Sequence, residues 1–505
     1  MALPPKWYQF LVSVFASLGS LLYGYDLGVI AEVIASGNFK SKFGDDPNAT
    51  GAVVSVFTGG AFFGSMFAGY SGDRLGRKWT IMIGALIFIL GGSLQTAADH
   101  INYLYAGRCL AGLGVGFLVM IVPVYQGELC HPDIRGRVTA LQQFMLGVGA
   151  LIATAIGYGT YTSIDDDNSG QWRIPLGIQN LPAVILAALI LFFPESPRWL
   201  IDHGREEEGL KTLAKLHANG DVNDTWVRAE FDQIQERLAL EHEASAKSYS
   251  ELFTDKSCFR RLWLAISVQV AAQMTGVSAI QYYSVAIYAK IGIQGDETLR
   301  YQMISSVIAL VAQFLCMLFI DRTGRRWPLI GGNILNCITF IIATVLLASF
   351  PPGSNNGGGA AGWGFIVVTW IYNFSFSATC GPLSWIIPAE IFDMKTRAKG
   401  VSLATMMSFA FNTMIGQTTS VALDDKTGIG WRWYIVFIVC NFTNAVYFWA
   451  ILPETANRPL EEMRYLFTEA PLFVPLMDTD KFAAGQDLER RVEKVEQKQE
   501  LEHHD

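Results

Sequence analysis

Two opposite charges sit in stretches that are otherwise apolar. Asp26 lies in the run 9–31 and Arg108 in the run 101–123. Charge inside a bilayer is expensive and marks a functional site by default. If the first run rises from the side on which the chain starts, Asp26 stands about 25 Å up. Arg108, early in a descending run, stands about 20 Å above the same surface of a core about 30 Å thick. The two can therefore meet. Dry surroundings disfavour an ionised carboxylate and a nearby guanidinium favours it. A pairing that changed between conformations would let Asp26 load a proton on one side and release it on the other. A static buried ion pair is the alternative. No histidine falls in a span, so a histidine relay is not expected.

The other polar groups of the apolar runs are neutral: Gln142, Gln143, Gln269, Gln273, Ser278, Gln281, Asn373, Asn412 and Gln417. Tyr23, Tyr282, Tyr283 and Trp385 accompany them. Amides offer donors and acceptors to hydroxyl groups, and an aromatic ring can cover the apolar face of a sugar. A neutral polyhydroxylated solute fits this set, and no cationic cluster suits a phosphate. For any single amide, hydrogen bonding between helices is the competing reading.

Positioning these groups is a task for membrane helices. Of 505 residues, 51% are hydrophobic and only 16% charged, with 32 Phe and a mean hydropathy of +0.30. Soluble chains carry about 25% charged residues. A spanning helix needs about 20 apolar residues, and twelve such runs are legible. They are 9–31, 50–71, 79–98, 101–123, 138–160, 175–194, 262–290, 301–320, 328–350, 363–388, 399–421 and 432–452. The fold expected is all-α, with twelve transmembrane helices in two pseudo-symmetric six-helix bundles and a short cytoplasmic helical insert. Basic loops at 72–78, 131–137, 321–327 and 394–399 alternate with loops poor in Lys and Arg. The inside-positive rule then puts both termini in the cytoplasm. Asn48, in an Asn-Ala-Thr sequon, falls on the outer side as a glycosylation candidate. Segments 204–216 and 226–243 are amphipathic at helical spacing and are expected to lie against the bundle, and the charged end 488–505 reads as a solvated or frayed helix. Gly381, Pro382 and Pro388 are expected to interrupt the tenth span. The net charge of -8 is no nucleic-acid signature. Seven cysteines, mostly within apolar runs, form neither a disulfide framework nor a metal spacing and read as buried small residues. No cofactor and no metal are expected.

The halves repeat. Gly72-Asp73-Arg74-Leu75-Gly76-Arg77-Lys78-Trp79 recurs as Ile320-Asp321-Arg322-Thr323-Gly324-Arg325-Arg326-Trp327. Glu128 with Arg135 and Arg137 recurs as Glu390 with Arg397 and Lys399, and Pro194-Glu195-Ser196 as Pro453-Glu454-Thr455. Each copy holds six spans, so both insert in the same orientation and can rock around a central cavity. The expected divisions are 1–195, a linker 196–260, 261–455 and a tail 456–505. Asp73, Arg77, Glu128 and Arg137, with Asp321, Arg325, Glu390 and Arg397, form a candidate cytoplasmic latch between the halves. The competing reading is that the bases merely obey the inside-positive rule.

These motifs resemble the sugar porter family of the major facilitator superfamily, and the fungal members most, up to about residue 465. The resemblance is carried by Tyr23-Gly24-Tyr25-Asp26, by the two basic loops, and by Gly107-Arg108. It extends through Pro123-Val124-Tyr125-Gln126-Gly127-Glu128, Pro194 to Trp199, Gln273-Met274-Thr275-Gly276 and Pro453-Glu454-Thr455. It implies that Asp26 couples a proton and that Arg108 is its partner. It implies sugar contacts from Gln143, Gln273, Trp385 and Asn412, and an outer gate at Tyr282 and Tyr283. The sequence departs from the family where Ala272, Ser278, Ala309 and Ser408-Phe409 replace polar pocket positions. Each lost hydrogen bond weakens binding by about 0.5–1.5 kcal/mol. The departures point away from ordinary high-affinity glucose transport and toward a pentose, a polyol, a disaccharide or another hydroxylated metabolite.

The expected function is a monomeric plasma-membrane transporter that imports a neutral sugar or polyol with a proton. A facilitative uniporter that keeps Asp26 as a structural acid is the first alternative. A non-transporting sensor is the second, and it would want a longer cytoplasmic tail than the stretch after the twelfth run. An enzyme is not expected, since no nucleophile–base pair or metal cluster occurs in the spans.

Overall fold

The computed structural model describes residues 5–44, 46–129, 132–218, 220–244, 251–293, 295–350, 360–392, 396–456, 466–468 and 471–476. Among them there is no strand. Twelve helical segments of membrane length appear. Span 1 comprises Pro5–Ala16 and Leu18–Ala35, span 2 is Pro47–Leu75, span 3 Arg77–Thr96, span 4 Ile101–Leu129 and span 5 Pro132–Ser163. Span 6 joins Gly170–Ile178 to Asn180–Leu189. Span 7 joins Lys256–Met274 to Val277–Lys290, and spans 8 and 9 are Asp296–Thr323 and Arg326–Ser349. Span 10 joins Ala360–Ala378 to Cys380–Ile391, span 11 is Arg397–Ala422 and span 12 is Trp433–Ile451. Ten of these are apolar enough by length and composition alone to cross a membrane. Spans 10 and 11 are not among the ten. Span 10 carries Asn373, Ser375 and Ser377, and span 11 carries Ser402, Thr405, Ser408, Asn412 and Gln417, on faces that pack on protein.

The breaks follow local chemistry. Span 7 turns at Gly276, whose φ of 96° is left-handed. A Cβ there would also press on Phe340 and Phe437. Gly276→Ala is expected to lower stability by about 1–2 kcal/mol from backbone conformation alone, read as a drop in the thermal midpoint of the purified protein. Span 10 breaks at Thr379, just before the expected Gly381-Pro382. Pro382 then falls in the first turn of the new helix, where its missing N–H has no intrahelical partner to lose. Pro388 lies inside that helix without ending it.

Within the first half, span 4 packs on spans 2 and 3, and span 1 on span 5. Within the second, span 9 packs on spans 10 and 12, and span 7 on span 11. Between the halves, span 2 runs along span 11, span 5 along span 8, and span 1 meets span 7. The largest apolar cluster draws on both halves, from Tyr25 and Phe57 to Tyr282 and Phe437. The two amphipathic segments form helices Glu206–His217 and Thr225–Ala244, which share a small core of Leu213, Ala214, Val227 and Phe231. The first of them rests against the start of span 1. The charged end 488–505 lies outside the described residues. The cysteine reading needs correcting in part: Cys258, Cys316, Cys337 and Cys380 are buried, but Cys440 is half-buried and Cys109 is exposed on the flank of span 4, and Cys130 lies outside the described residues.

Candidate functional site

Asp26 and Arg108 meet. Arg108 Nη1 donates to Asp26 Oδ1, and both side chains are fully buried. The guanidinium is anchored twice more: Nε donates to Val53 O at 2.9 Å, and the group lies 4.4 Å from the Phe57 ring centroid. Asp26 Oδ2 and Arg108 Nη2 have no protein partner, so the pair keeps one free oxygen and one free donor. Tyr282, across the seam on span 7, lies within electrostatic reach of Tyr23, Asp26 and Arg108.

The residues read as solute-binding fall into a connected region. Tyr23 is buried and meets Phe409 of span 11 edge to face, with centroids 5.8 Å apart. Gln273 donates to Ser408 Oγ at 3.0 Å and accepts from Ser278 Oγ at 2.9 Å. Both ends of that amide are thus engaged by two of the departing positions. Tyr282 Oη and Asn412 Oδ1 are buried without a hydrogen-bond partner. Tyr283 donates to Gly416 O at 2.7 Å. Gln143 is half-buried, and Trp385 is half-buried against the shared cluster. Other interior amides serve helix packing: Gln142 donates to Gln126, Asn373 to Ser305, and Gln417 accepts from Ser55 at 2.9 Å.

The expected latch pairs run within halves rather than between them. Arg77 makes a two-pronged contact with Glu128, at 2.9 and 3.0 Å, and lies 3.5 Å from Asp73. Arg325 reaches Glu390 at 2.9 and 3.2 Å. The reason is local: each base opens the third helix of its half, and each acid closes the fourth. Arg397 donates to Phe392 O at 3.2 Å. The side chains of Arg137 and Asp321 lie outside the described residues. Asn48 is exposed in the first turn of span 2, and its carbonyl accepts from Gln417 at 3.4 Å.

Two roles were missed. Glu195 and Glu454, recognised above only as repeated positions, each receive a chain that turns back on them. Glu195 accepts from the amides of Arg77 and Lys78, at 3.0 and 3.2 Å. Glu454 accepts from those of Arg325 and Arg326, at 2.8 and 3.1 Å. Burial pushes the Glu195 carboxyl above its ordinary value, and the amides with Arg77 draw it back. Glu32 is a third charge inside the spans. It is buried on span 1, one residue past the end expected for that span. Continuing the apolar run through Val33 and Ile34 would have found it. At the opposite end, Asp99 takes bonds from Lys42 and Arg173, each at 2.8 Å, which hold its carboxyl below the usual range.

Residues 12–467 match the model of the family described as sugar (and other) transporter. The chain is 32% identical to the MFS-type transporter criB of Aspergillus cristatus, over 90% of this chain and 92% of that one. It is 31% identical to a high-affinity glucose transporter of Kluyveromyces lactis, over 92% and 86%. It is 30% identical to the quinate permease of Emericella nidulans, over 93% and 90%. In fold it is similar to the proton:xylose symporter XylE bound to 6-bromo-6-deoxy-D-glucose, with a TM-score of 0.76 at 24% identity over 91% of this chain and 99% of that one. It is also similar to the partially occluded inward-open form of XylE from E. coli, at 0.75 and 22% over 90% and 100%. With twelve helices, a repeated basic loop and a family match over nearly its whole length, the chain belongs to the sugar (and other) transporters of the major facilitator superfamily.

Proposed function

We propose that this transporter imports a neutral sugar or related polyol together with a proton, by alternating access, as a monomer in the plasma membrane. The buried Asp26–Arg108 pair beside Tyr23 and Tyr282 carries the reading. It places a titratable group against the seam on which the halves move. Protonation of Asp26 releases its hold on Arg108, and the free donor and acceptor of the pair give the exchange somewhere to go. Solute and proton bind from outside, the halves rock, and both leave inside. In this reading the basic loops and both termini are cytoplasmic, Asn48 faces outward as a glycan acceptor, and the halves divide at 1–195 and 261–455, with 196–260 as linker and 456–505 as tail.

A neutral substrate is favoured because, among the described residues, the cation beside the solute residues, Arg108, is already paired. The relatives named for glucose and quinate support a hydroxylated six-membered ring; of those two solutes only glucose is neutral, quinate being a carboxylate. Ala272 and Phe409 add apolar surface where the resemblance implies polar groups. The substrate therefore presents an apolar ring face to Tyr23, Phe409 and Trp385, and fewer hydroxyls to Gln143, Gln273 and Asn412.

Proteoliposomes with a pH-sensitive dye test the coupling. Substrate addition is expected to draw protons inward, and a competition panel of hexoses, pentoses, polyols, disaccharides and sugar acids identifies the solute. No proton movement, with accumulation intact in Asp26→Asn, would overturn the symport reading. A facilitative uniporter is the second reading, favoured by the anchoring of Arg108 on Val53 and Phe57. Gln143→Ala and Gln273→Ala are each expected to raise the KM of uptake about 2- to 13-fold, one neutral hydrogen bond's worth, with unchanged folding. Normal uptake kinetics in both variants would discard this pocket.

A further inference from the structure

Glu32 has no role in the cycle described above. It is 5% exposed, and neither carboxylate oxygen has a hydrogen-bond partner. Span 5 faces it with Gly157, where a Cβ would overlap the carboxylate. The missing side chain leaves the space that the acid fills.

The surrounding charges are committed elsewhere. On span 1, Asp26 is paired with Arg108, and Tyr25, within electrostatic reach of Glu32, donates to Pro175 O at 2.8 Å. On span 5, Tyr158 and Tyr161 lie beyond Gly157, and past its end Asp166 accepts from Gln171 at 3.0 Å. On span 6, Arg173 pairs with Asp99. On span 7, Lys290 donates to Leu423 O. In the first turns of span 8, beside the acid Asp296, Arg300 pairs with Glu297. No cation among the described residues pairs with Glu32.

The position is a gate. The preceding residue, Ala31, packs on Val285 of span 7 and Leu299 of span 8, with Ala35, Tyr158 and Tyr161 around them. The same end is closed by Ser420 on Pro47 O at 2.7 Å and by Gln417 on Asn48 O at 3.4 Å. Parting the halves here would let water in beside Glu32. Closing them strips water from a carboxylate that gains nothing in return, and an unpaired buried charge is far costlier than a neutral acid.

We propose that Glu32 is the proton acceptor of this gate: it takes one proton from the adjoining water as the halves close over spans 1, 5, 7 and 8, and returns it as they part. The proton adds to a carboxylate oxygen on closing and leaves the same oxygen on opening, so no other reactant is needed. The inference uses the alternating access of the family and not the coupling proposed for Asp26. An exposed glutamate titrates near 4.3, so around neutrality the open state is charged there and the closed state is not. The closed state binds one proton more. Its population relative to the open state therefore falls as pH rises, by up to about tenfold per unit.

The test uses the full-length protein in lipid nanodiscs, with one pH on both sides. Hydrogen exchange of segments 28–36 and 282–290, corrected for intrinsic chemistry, reports opening. Wild type is expected to open more as pH rises from about 6 to 8, at up to tenfold per unit. Glu32→Gln, shaped like the neutral acid, is expected to stay closed and to lose the part of the slope that Glu32 supplies; in the Asp26→Asn background, where that part stands alone, adding Glu32→Gln is expected to flatten the profile. Infrared difference spectra give a second reading: a protonated-carboxyl stretch present in wild type should vanish in Glu32→Gln. A wild-type slope in Glu32→Gln, or no such band, overturns the proposal. Loss of the slope in Asp26→Asn alone assigns the gate proton to Asp26 and also overturns it, while leaving symport intact. Failure of proton-coupled uptake with the Glu32 slope preserved would overturn only the symport reading.

Discussion

Arg108→Ala is expected to lower stability by about 3–5 kcal/mol, because it leaves Asp26 charged, buried and alone. The same change removes the donor to Val53 O and the cation over Phe57. Asp26→Asn leaves the Arg108 guanidinium buried without its counter-charge, but the amide oxygen, Val53 O and the Phe57 ring still hold it, so a smaller loss is expected. Its large effect falls on transport: accumulation against a gradient is lost while exchange of labelled for unlabelled solute continues. The double variant Asp26→Asn, Arg108→Gln removes both charges and is expected to recover most of the stability lost in Arg108→Ala, without regaining accumulation. Thermal unfolding of the purified variants, with counterflow and accumulation assays side by side, separates the two roles. Concentrative uptake by the double variant would show that the pair serves folding alone.

The depth arithmetic that paired Asp26 with Arg108 worked because helix rise is fixed and a charge in an apolar run is conspicuous. The same logic missed Glu32 for a plain reason: the apolar run was ended just before its second acid, although the helix continues to Ala35. Burial there depends on Gly157, some 125 residues away in the chain, and no local pattern reports that contact. The twelve spans were legible from hydropathy. The break in span 10 was legible to within two residues from Gly381-Pro382; its place at Thr379 and the break at Thr275-Gly276 were not, because they respond to neighbours: Cys380 packed near Asn333 in one case, and the ring pair Phe340 and Phe437 in the other. The repeat showed that Glu195 and Glu454 correspond, but spacing does not say what a carboxylate accepts. Only folding shows that each turns toward the backbone of a loop over a hundred residues earlier. Amides were the most ambiguous class. Gln142, Asn373 and Gln417 hold helices together, whereas Asn412 keeps a buried oxygen without a hydrogen-bond partner.

The same device stands at the basic end of both halves, and its geometry decides between a latch and a clamp. Gly76 and Gly324 turn the chain at φ of 93° and 77°. The next residue, Arg77 or Arg325, offers its amide to Glu195 or Glu454 and its guanidinium to Glu128 or Glu390. A third donor ties the loop back to the preceding helix, to Gly72 O at 2.8 Å or Ile320 O at 2.9 Å. An anion at a helix N-terminus adds about 0.3–1 kcal/mol, and a bond to a charged group about 1.5–3 kcal/mol. Glu195→Ala and Glu454→Ala are therefore each expected to cost about 2–3 kcal/mol. The double variant should lose the sum, since the two sites share no partner. Double-mutant cycles then discriminate. Arg77 with Glu128 should couple by about 0.5–3 kcal/mol, and Arg77 with Glu390 should be additive within about 0.5 kcal/mol. A latch between the halves predicts the reverse, along with a shift in the balance of open and closed states. If instead the loops are clamps, each half keeps its basic end rigid while the motion is confined to the seams of spans 2 and 11, 5 and 8, and 1 and 7. In the proposed cycle, rigid halves would carry a change at Asp26 to both ends of the molecule.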